Sequence, residues 1–252
     1  MRARCCVVTA IVLLALGRAG QASAQATADR DRFRISVNGG VQISSIAFDT
    51  SATRVVYLEN AIIDTSYKIS RGPAVDGGVS VRIAGNVGVG VTVSAFTAKN
   101  DANVSGAIPH PFFFKTPRTV TGTATGLRRD ELVTHLLGIY AFRPTANVDV
   151  AVSAGPSFFR VRQAVVDDVA FSDTYPYNAP AFTSAASQRV SGHKTGFNAG
   201  ADIGLRLSRH AGVGGSVRFS KAVVSLVMPN STTTTSVDAG GVQLAGGLRL
   251  YF

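Results

Sequence analysis

Four histidines, His110, His135, His193 and His210, are the side chains through which this sequence could move protons or activate a nucleophile near neutral pH. Only His193 has a hydroxyl close by in the chain where a strand would end, at Ser191. One His near one Ser is a thin basis for hydrolysis, so no catalytic residue is assigned and the chain is not expected to be an enzyme. Asp167, Asp168 and Asp173 come nearest to a divalent-cation cluster, but solvated loop carboxylates account for them better. No Cys/His group has metal-ligand spacing. Gly85-x-x-Gly88-x-Gly90 sets its glycines in the wrong order for a dinucleotide loop. No metal and no cofactor is expected.

The charged residues say more by their placement. Arg82, Asp149, Asp202, Arg206, Arg218 and Arg249 each lie on the polar side of a run in which every second residue is apolar or small, as do Asp76 and His135. Such side chains could line a narrow pore, or pair with one another and fill an interior too small for water. Carboxylates left unpaired there would be costly, so Asp149→Ala and Asp202→Ala should destabilise more than loop substitutions. Either arrangement needs strands, because an extended chain sends successive side chains to opposite faces.

Eight runs supply them. The first, over 33–48, sets Phe33, Ile35, Val37, Val41 and Ile43 against Arg34, Ser36, Asn38, Gln42 and Ser44. The second, over 73–84, sets Val75, Val79, Val81 and Ile83 against Asp76, Ser80 and Arg82. The third opposes Val87, Val89, Val91 and Val93 to Gly88, Gly90, Thr92 and Ser94. The fourth, over 132–142, is less regular, with Leu136, Tyr140 and Phe142 on one side and His135 on the other. Runs starting at Val148, Phe197 and Val213 repeat the pattern. The last, over 242–252, alternates Val242, Leu244, Gly246, Leu248, Leu250 and Phe252 with Gln243, Ala245, Gly247, Arg249 and Tyr251. Three connections are short: Ala84-Gly85-Asn86, where Gly supplies a positive φ without steric cost, 143–147 and 208–211. The other four are long, over about 49–72, 99–131, 162–193 and 223–241.

Composition narrows the setting. The chain is 46% hydrophobic with a mean hydropathy of +0.21. Yet no later stretch reaches the roughly 20 apolar residues of a membrane helix. Arg2 and Arg4, an apolar run over 5–16 and Ala22-Ser23-Ala24 have the layout of a secretory signal peptide, 1–24, cleaved after Ala24 or after Ala26. Cys5 and Cys6 would leave with it, so the single mature domain, 25–252, would contain no disulfide. Loss of Arg2, Arg4 and Arg18 lowers the net charge of +10 by three. The remaining basic residues are scattered, with no Lys/Arg tract, and no nucleic-acid partner is expected.

A last strand with one apolar face, closing on Phe252, resembles the C-terminal strand of bacterial outer-membrane β-barrels. The strict alternation of short and long connections over eight strands is similar to that of the small OmpA-like and OmpX-like barrels. Lipid cannot satisfy backbone N–H and C=O groups, so strands cross it only in a closed barrel. The resemblance implies an all-β fold, an eight-stranded antiparallel up-and-down transmembrane β-barrel in the cell outer membrane. Short turns would face the periplasm and long connections the outside. It implies that Leu248, Leu250 and Phe252 form a signal for the barrel assembly machinery, Leu250 standing where an aromatic is often found. Contact with outer-membrane lipid and lipopolysaccharide and a monomeric state follow from the same resemblance.

The expected role is an integral, non-enzymatic scaffold whose extracellular loops contact other surfaces. Phe112, Phe113 and Phe114 in one long connection, and Tyr175, Tyr177 and Phe182 in the next, are the candidates for touching an extracellular ligand. The competing account is that these segments pack on each other or extend the strands beyond the membrane. The alternative function is a narrow porin, and a third is an outer-leaflet lipid-modifying enzyme built on His193.

Overall fold

Alternation of apolar and polar residues over every run produces strands and nothing else. A computed structural model describes residues 31–229 and 234–252, apart from the side chain of Ser45, and the expected signal peptide lies outside them. The strands are β1 (Phe33–Val56), β2 (Glu59–Ala84), β3 (Val87–Ile108), β4 (Arg118–Thr145), β5 (Val148–Ser172), β6 (Ala181–Arg206), β7 (Ala211–Val227) and β8 (Thr234–Tyr251). Each pairs antiparallel with its neighbour, and β8 returns to β1 to close the barrel. Arg34 pairs with Tyr251 and Ile43 with Val242 along that seam. The seam is sealed at its end by reciprocal backbone bonds of 2.9 Å between Phe33 and Phe252. The three short turns fall where the sequence puts them, and Gly85 adopts φ 54° in the first.

The lower part of the barrel, next to these turns, is built for lipid. Val37 is 61% exposed and Leu248 62%, and every strand contributes apolar side chains to the same outward band. The inward positions are Asn38, Gln42, Asp76, Thr92, Ser94, His135, Asp149, Asn198, Gln243 and Arg249, all buried.

The strands do not stop at the top of that band. They run for 17 to 28 residues, about twice what a tilted crossing needs. The segments expected as long loops are therefore mostly strand, and true connections between described strands shrink to 57–58, 109–117 and 173–180. The physical reason is an exchange of polarity between the two faces. In β3, Val91 and Val93 point out while Thr92 and Ser94 point in. A few residues higher, Lys99, Asp101, Asn103 and Ser105 point out while Ala98, Ala102 and Val104 point in. Above the bilayer, water replaces lipid outside, and apolar side chains gain by turning inward. Ile46, Phe48, Ile69, Phe96, Val133, Phe159, Val161, Val224 and Leu226 form one continuous core there.

This upper core is closed by a bend. The β6–β7 ladder ends at Phe197–Lys221 and the β8–β1 ladder at Ile43–Val242. Beyond those points β7 and β8 pair only with each other. Gly240 and Gly241, at φ 91° and 147°, turn the hairpin inward. A Cβ on Gly240 would lie 2.3 Å from the Ser220 carbonyl oxygen, so the bend admits only glycine there. The hairpin lies over the lumen, with Arg129 of β4 donating to the Asp238 carbonyl at 2.7 Å and Glu131 accepting from the Gly240 N–H at 3.0 Å.

Candidate functional site

Strand alternation brings the predicted interior charges into one lumen, and antiparallel register matches cations to carboxylates. Nearest the turns, Asp149 accepts from Arg206 at 2.8 Å and Arg143 at 2.6 Å. The Arg206 guanidinium also stacks over the Tyr251 ring, 3.7 Å from its centre. One layer up, Asp202 bridges Arg249 at 2.6 Å and Arg34 at 3.1 Å. Arg249, fully buried, also donates to the Asn38 side chain. Asp76 accepts from Asn38 at 2.6 Å and Gln243 at 3.2 Å, and lies 3.6 Å from Arg218. Arg82 stands on the inward side at the turn end. A cavity of ≈ 40 Å³ lies among these layers, room for about one water molecule.

Two interior groups absent from the sequence reading complete the seal. Arg129 is 0% and Glu131 2% exposed, and they pair at 2.7 Å. Gln42 reaches the same carboxylate at 3.3 Å, and Gln163 accepts from Arg129 at 3.4 Å. The His135 alternation, carried back through Val133, reaches both, but the fourth run is irregular and its apolar pattern starts only at Leu132.

The histidines do not assemble a catalytic centre among the described residues. His135 sits between the Ser94 and Ser157 hydroxyls at 2.9 and 2.8 Å, buried in the barrel wall. His193 and Ser191 both face outward, and their cross-strand partners are Arg160 and Arg162, which cannot serve as the acid of a triad. His210 lies in a short turn beside Phe252. Asp167 pairs with Arg54 at 2.6 Å and Asp173 with Arg118 at 2.5 Å, so these carboxylates are engaged by cations rather than gathered around one.

The far end of the barrel carries the second arrangement. Arg118, nearly buried at the base of the 109–117 connection, clamps both oxygens of Asp173 and donates to the carbonyls of Tyr177 and Pro109. Tyr57 adds its hydroxyl to Asp173 at 3.2 Å. His110 Nδ1 accepts from the N–H groups of Phe112 and Phe113, curling that connection. Lys115 N–H is held by Glu59 at 3.0 Å. Three connections are thereby tied into one apex, on which Phe112, Phe113, Phe114 and Tyr175 remain exposed, Tyr175 by 85%. Phe112 packs edge-on against Tyr177 at 5.4 Å, and Tyr177 is half-buried. Phe182 departs from its expected place. It turns inward onto the backbone at Gly122 and joins the apolar core, because the strand it begins, β6, has an apolar inner face at this height.

The hydrogen bond from Arg118 holds the Asp173 carboxyl below the usual carboxylate range. A pKa depressed by folding means that the clamp's contribution is complete above the ordinary value and is lost as pH falls through the lower, folded one. NMR titration of the Asp173 carboxyl carbon is expected to show a midpoint below about 3.9, with the apex loosening only then. Arg118→Met should return the midpoint to the ordinary range. A midpoint at or above the ordinary value in the native protein would contradict the clamp.

Comparison with known proteins follows the same lines. A family model described as outer membrane protein beta-barrel domain matches residues 11–249. No curated protein matches the sequence. Among solved structures, Neisserial surface protein A is 15% identical, with 87% of this chain and 97% of that one covered at a TM-score of 0.39. The attachment invasion locus protein Ail of Yersinia pestis is 11% identical, covering 86% and 99% at 0.36. The outer membrane protease OmpT of Escherichia coli is 7% identical, covering 92% and 100% at 0.44. These likenesses are of fold.

Proposed function

We propose a role that starts from the family: the chain belongs to the outer membrane protein beta-barrel domain family, resides in the cell outer membrane, and there acts as a non-enzymatic scaffold for surface contact. The observation that carries this is the apex. Phe112, Phe113, Phe114 and Tyr175 are exposed on connections that Arg118, Asp173, His110 and Glu59 hold in place. Exposed aromatic clusters on ordered loops favour association, since little loop entropy is lost on binding.

The neighbouring hairpin supports the same reading. Tyr57 and Leu58 occupy its two turn positions at φ 51° and 69°, where Asn-Gly would be at ease. Two bulky residues held there, with Leu58 88% exposed, place apolar surface outward against local preference. The interior favours scaffold over pore, because charge pairs fill the lower lumen and an apolar core fills the upper. Leu248, Leu250 and Phe252 face outward at the turn end, available to the barrel assembly machinery. The closed ring leaves no free ladder edge within the band, consistent with a monomer.

The test replaces Phe112, Phe113, Phe114 and Tyr175 with serine together. Bacteria displaying the native barrel are expected to adhere to an epithelial monolayer, and those displaying the variant to fall to the level of cells without it. Heat-modifiable mobility should be the same for both. Equal adhesion by the two barrels, or none above background for the native one, would overturn the reading.

A further inference from the structure

The middle layer of lumen charge does not balance. Three arginines, Arg34, Arg218 and Arg249, share it with two carboxylates, Asp76 and Asp202. Arg249 is fully enclosed and Arg218 largely so. Asp202 is engaged by Arg34 and Arg249. Asp76 accepts from Asn38 and Gln243, and it stands 3.6 Å from Arg218, beyond hydrogen-bond reach. The buried Nη1 of Arg218 meets no hydrogen-bond acceptor of the protein. The carboxylates of the neighbouring layers are already engaged. Below, the two Asp149 oxygens are held by Arg143 and Arg206. Above, Glu131 is taken by Arg129, Gln42 and the Gly240 N–H. Among the described residues this layer therefore keeps one positive charge in excess, and an enclosed cation without a counter-charge is costly.

The space beside that excess has the size and lining of a small anion site. The ≈ 40 Å³ cavity lies against Arg34 and Arg218, and its wall adds the hydroxyl-bearing Ser36, Ser80, Ser153 and Ser216. Strand alternation puts all four serines on the inward face. Hydroxyls and guanidinium N–H groups can all donate. The carboxylate in the wall, Asp202, already faces two arginines. A water molecule there would leave the net charge as it is, whereas an anion cancels it. Volume sets the class. The space admits a water or a monatomic anion, and it is too small for phosphate or an organic acid.

We propose that the lumen binds one small monovalent anion of the chloride class in this cavity, held by Arg34, Arg218 and the surrounding serine hydroxyls. The ion completes the lower seal as a part of the folded barrel. Because it binds the closed lumen and not the open chain, it stabilises the fold by mass action. This goes beyond the surface-contact reading and is independent of the apex.

The test uses the refolded protein in lipid vesicles, unfolded by urea in potassium chloride or in potassium gluconate of equal ionic strength. Gluconate is too large for the cavity and keeps screening constant. The native folding equilibrium constant is expected to rise about tenfold for each tenfold rise in chloride above its dissociation constant, with no response to gluconate. Ser80→Asp places a carboxylate directly across the ladder from Arg34. It supplies the missing charge covalently and should abolish the chloride response in a folded barrel. Arg218→Gln should abolish it by deleting the surplus cation. Bromide-soaked crystals of the native protein should show one anomalous peak in the lumen, within hydrogen-bond distance of Arg218. Equal native stability in the two salts, or no lumen peak, would overturn the site and leave the cavity to water. So would a full chloride response in folded Ser80→Asp. The native measurements decide the matter even if neither variant folds.

Discussion

Glu131→Ala is expected to destabilise the barrel by about 3–5 kcal/mol, the largest effect of any single interior substitution. Glu131 and Arg129 are both fully enclosed, and the carboxylate joins Arg129, Gln42 and the Gly240 N–H of the inturned hairpin. Its removal leaves a guanidinium buried without a counter-charge, at the level where the polar lumen gives way to the apolar core. The hairpin loses one of its two holds on β4 in the same step. Urea unfolding in lipid vesicles measures the loss. Arg129→Met/Glu131→Leu should recover most of it, because a buried pair replaced as a unit by apolar groups of similar volume is often neutral. A single alanine variant as stable as the native protein would show that the pair does not hold the hairpin.

The second large effect concerns conduction. A planar bilayer containing the folded native protein is expected to stay silent. Two seals lie in series, the charge layers of Asp149, Asp202, Asp76 and their arginines below, and the apolar core under the β7–β8 hairpin above. Eight strands leave an interior just wide enough for side chains, and the ≈ 40 Å³ cavity at the lower seal has room for about one water. Trimming the hairpin over 224–238 opens only the upper seal, so that variant should also be silent. Adding Arg249→Ala and Asp202→Ala to the trimmed protein should produce brief, discrete steps. Reproducible steps from the native protein would restore the porin reading and make the interior charges its selectivity determinants.

The division between what was and was not legible in the chain follows the polarity of the two faces. Within the band, side-chain direction was readable residue by residue. Val87, Val89, Val91 and Val93 outside and His135, Asp149 and Arg249 inside follow from alternation with no other knowledge. Above the band the same alternation runs on, but its meaning inverts. Lys99, Asp101 and Asn103 look like loop residues to a reading that seeks apolar residues on the lipid side. Register slips hide it further, as at Ser70–Arg71 in β2 and around Gly126 in β4, where the inward set changes parity.

The exposed aromatics were visible as a cluster, but their separation into surface and core was not. Phe112 and Phe182 are the same residue type in similar company. One faces water because Arg118 and His110 pin its connection, and the other fills the space that Gly122 leaves across the barrel.

Sequence alone therefore determined the stretch of each strand within the band, the strand order, the short turns and which face of each meets lipid. These depend on neighbours one and two residues away, and on a bilayer that tolerates no unpaired backbone. Only the tertiary structure decided what fills the barrel. The pairing of Asp202 with Arg249 and Arg34, the inward bend at Gly240 and the meeting of Arg129 with Asp238 join residues from separate strands across the lumen. Such contacts depend on how a closed wall curves in three dimensions, and no local pattern in the chain encodes that curvature.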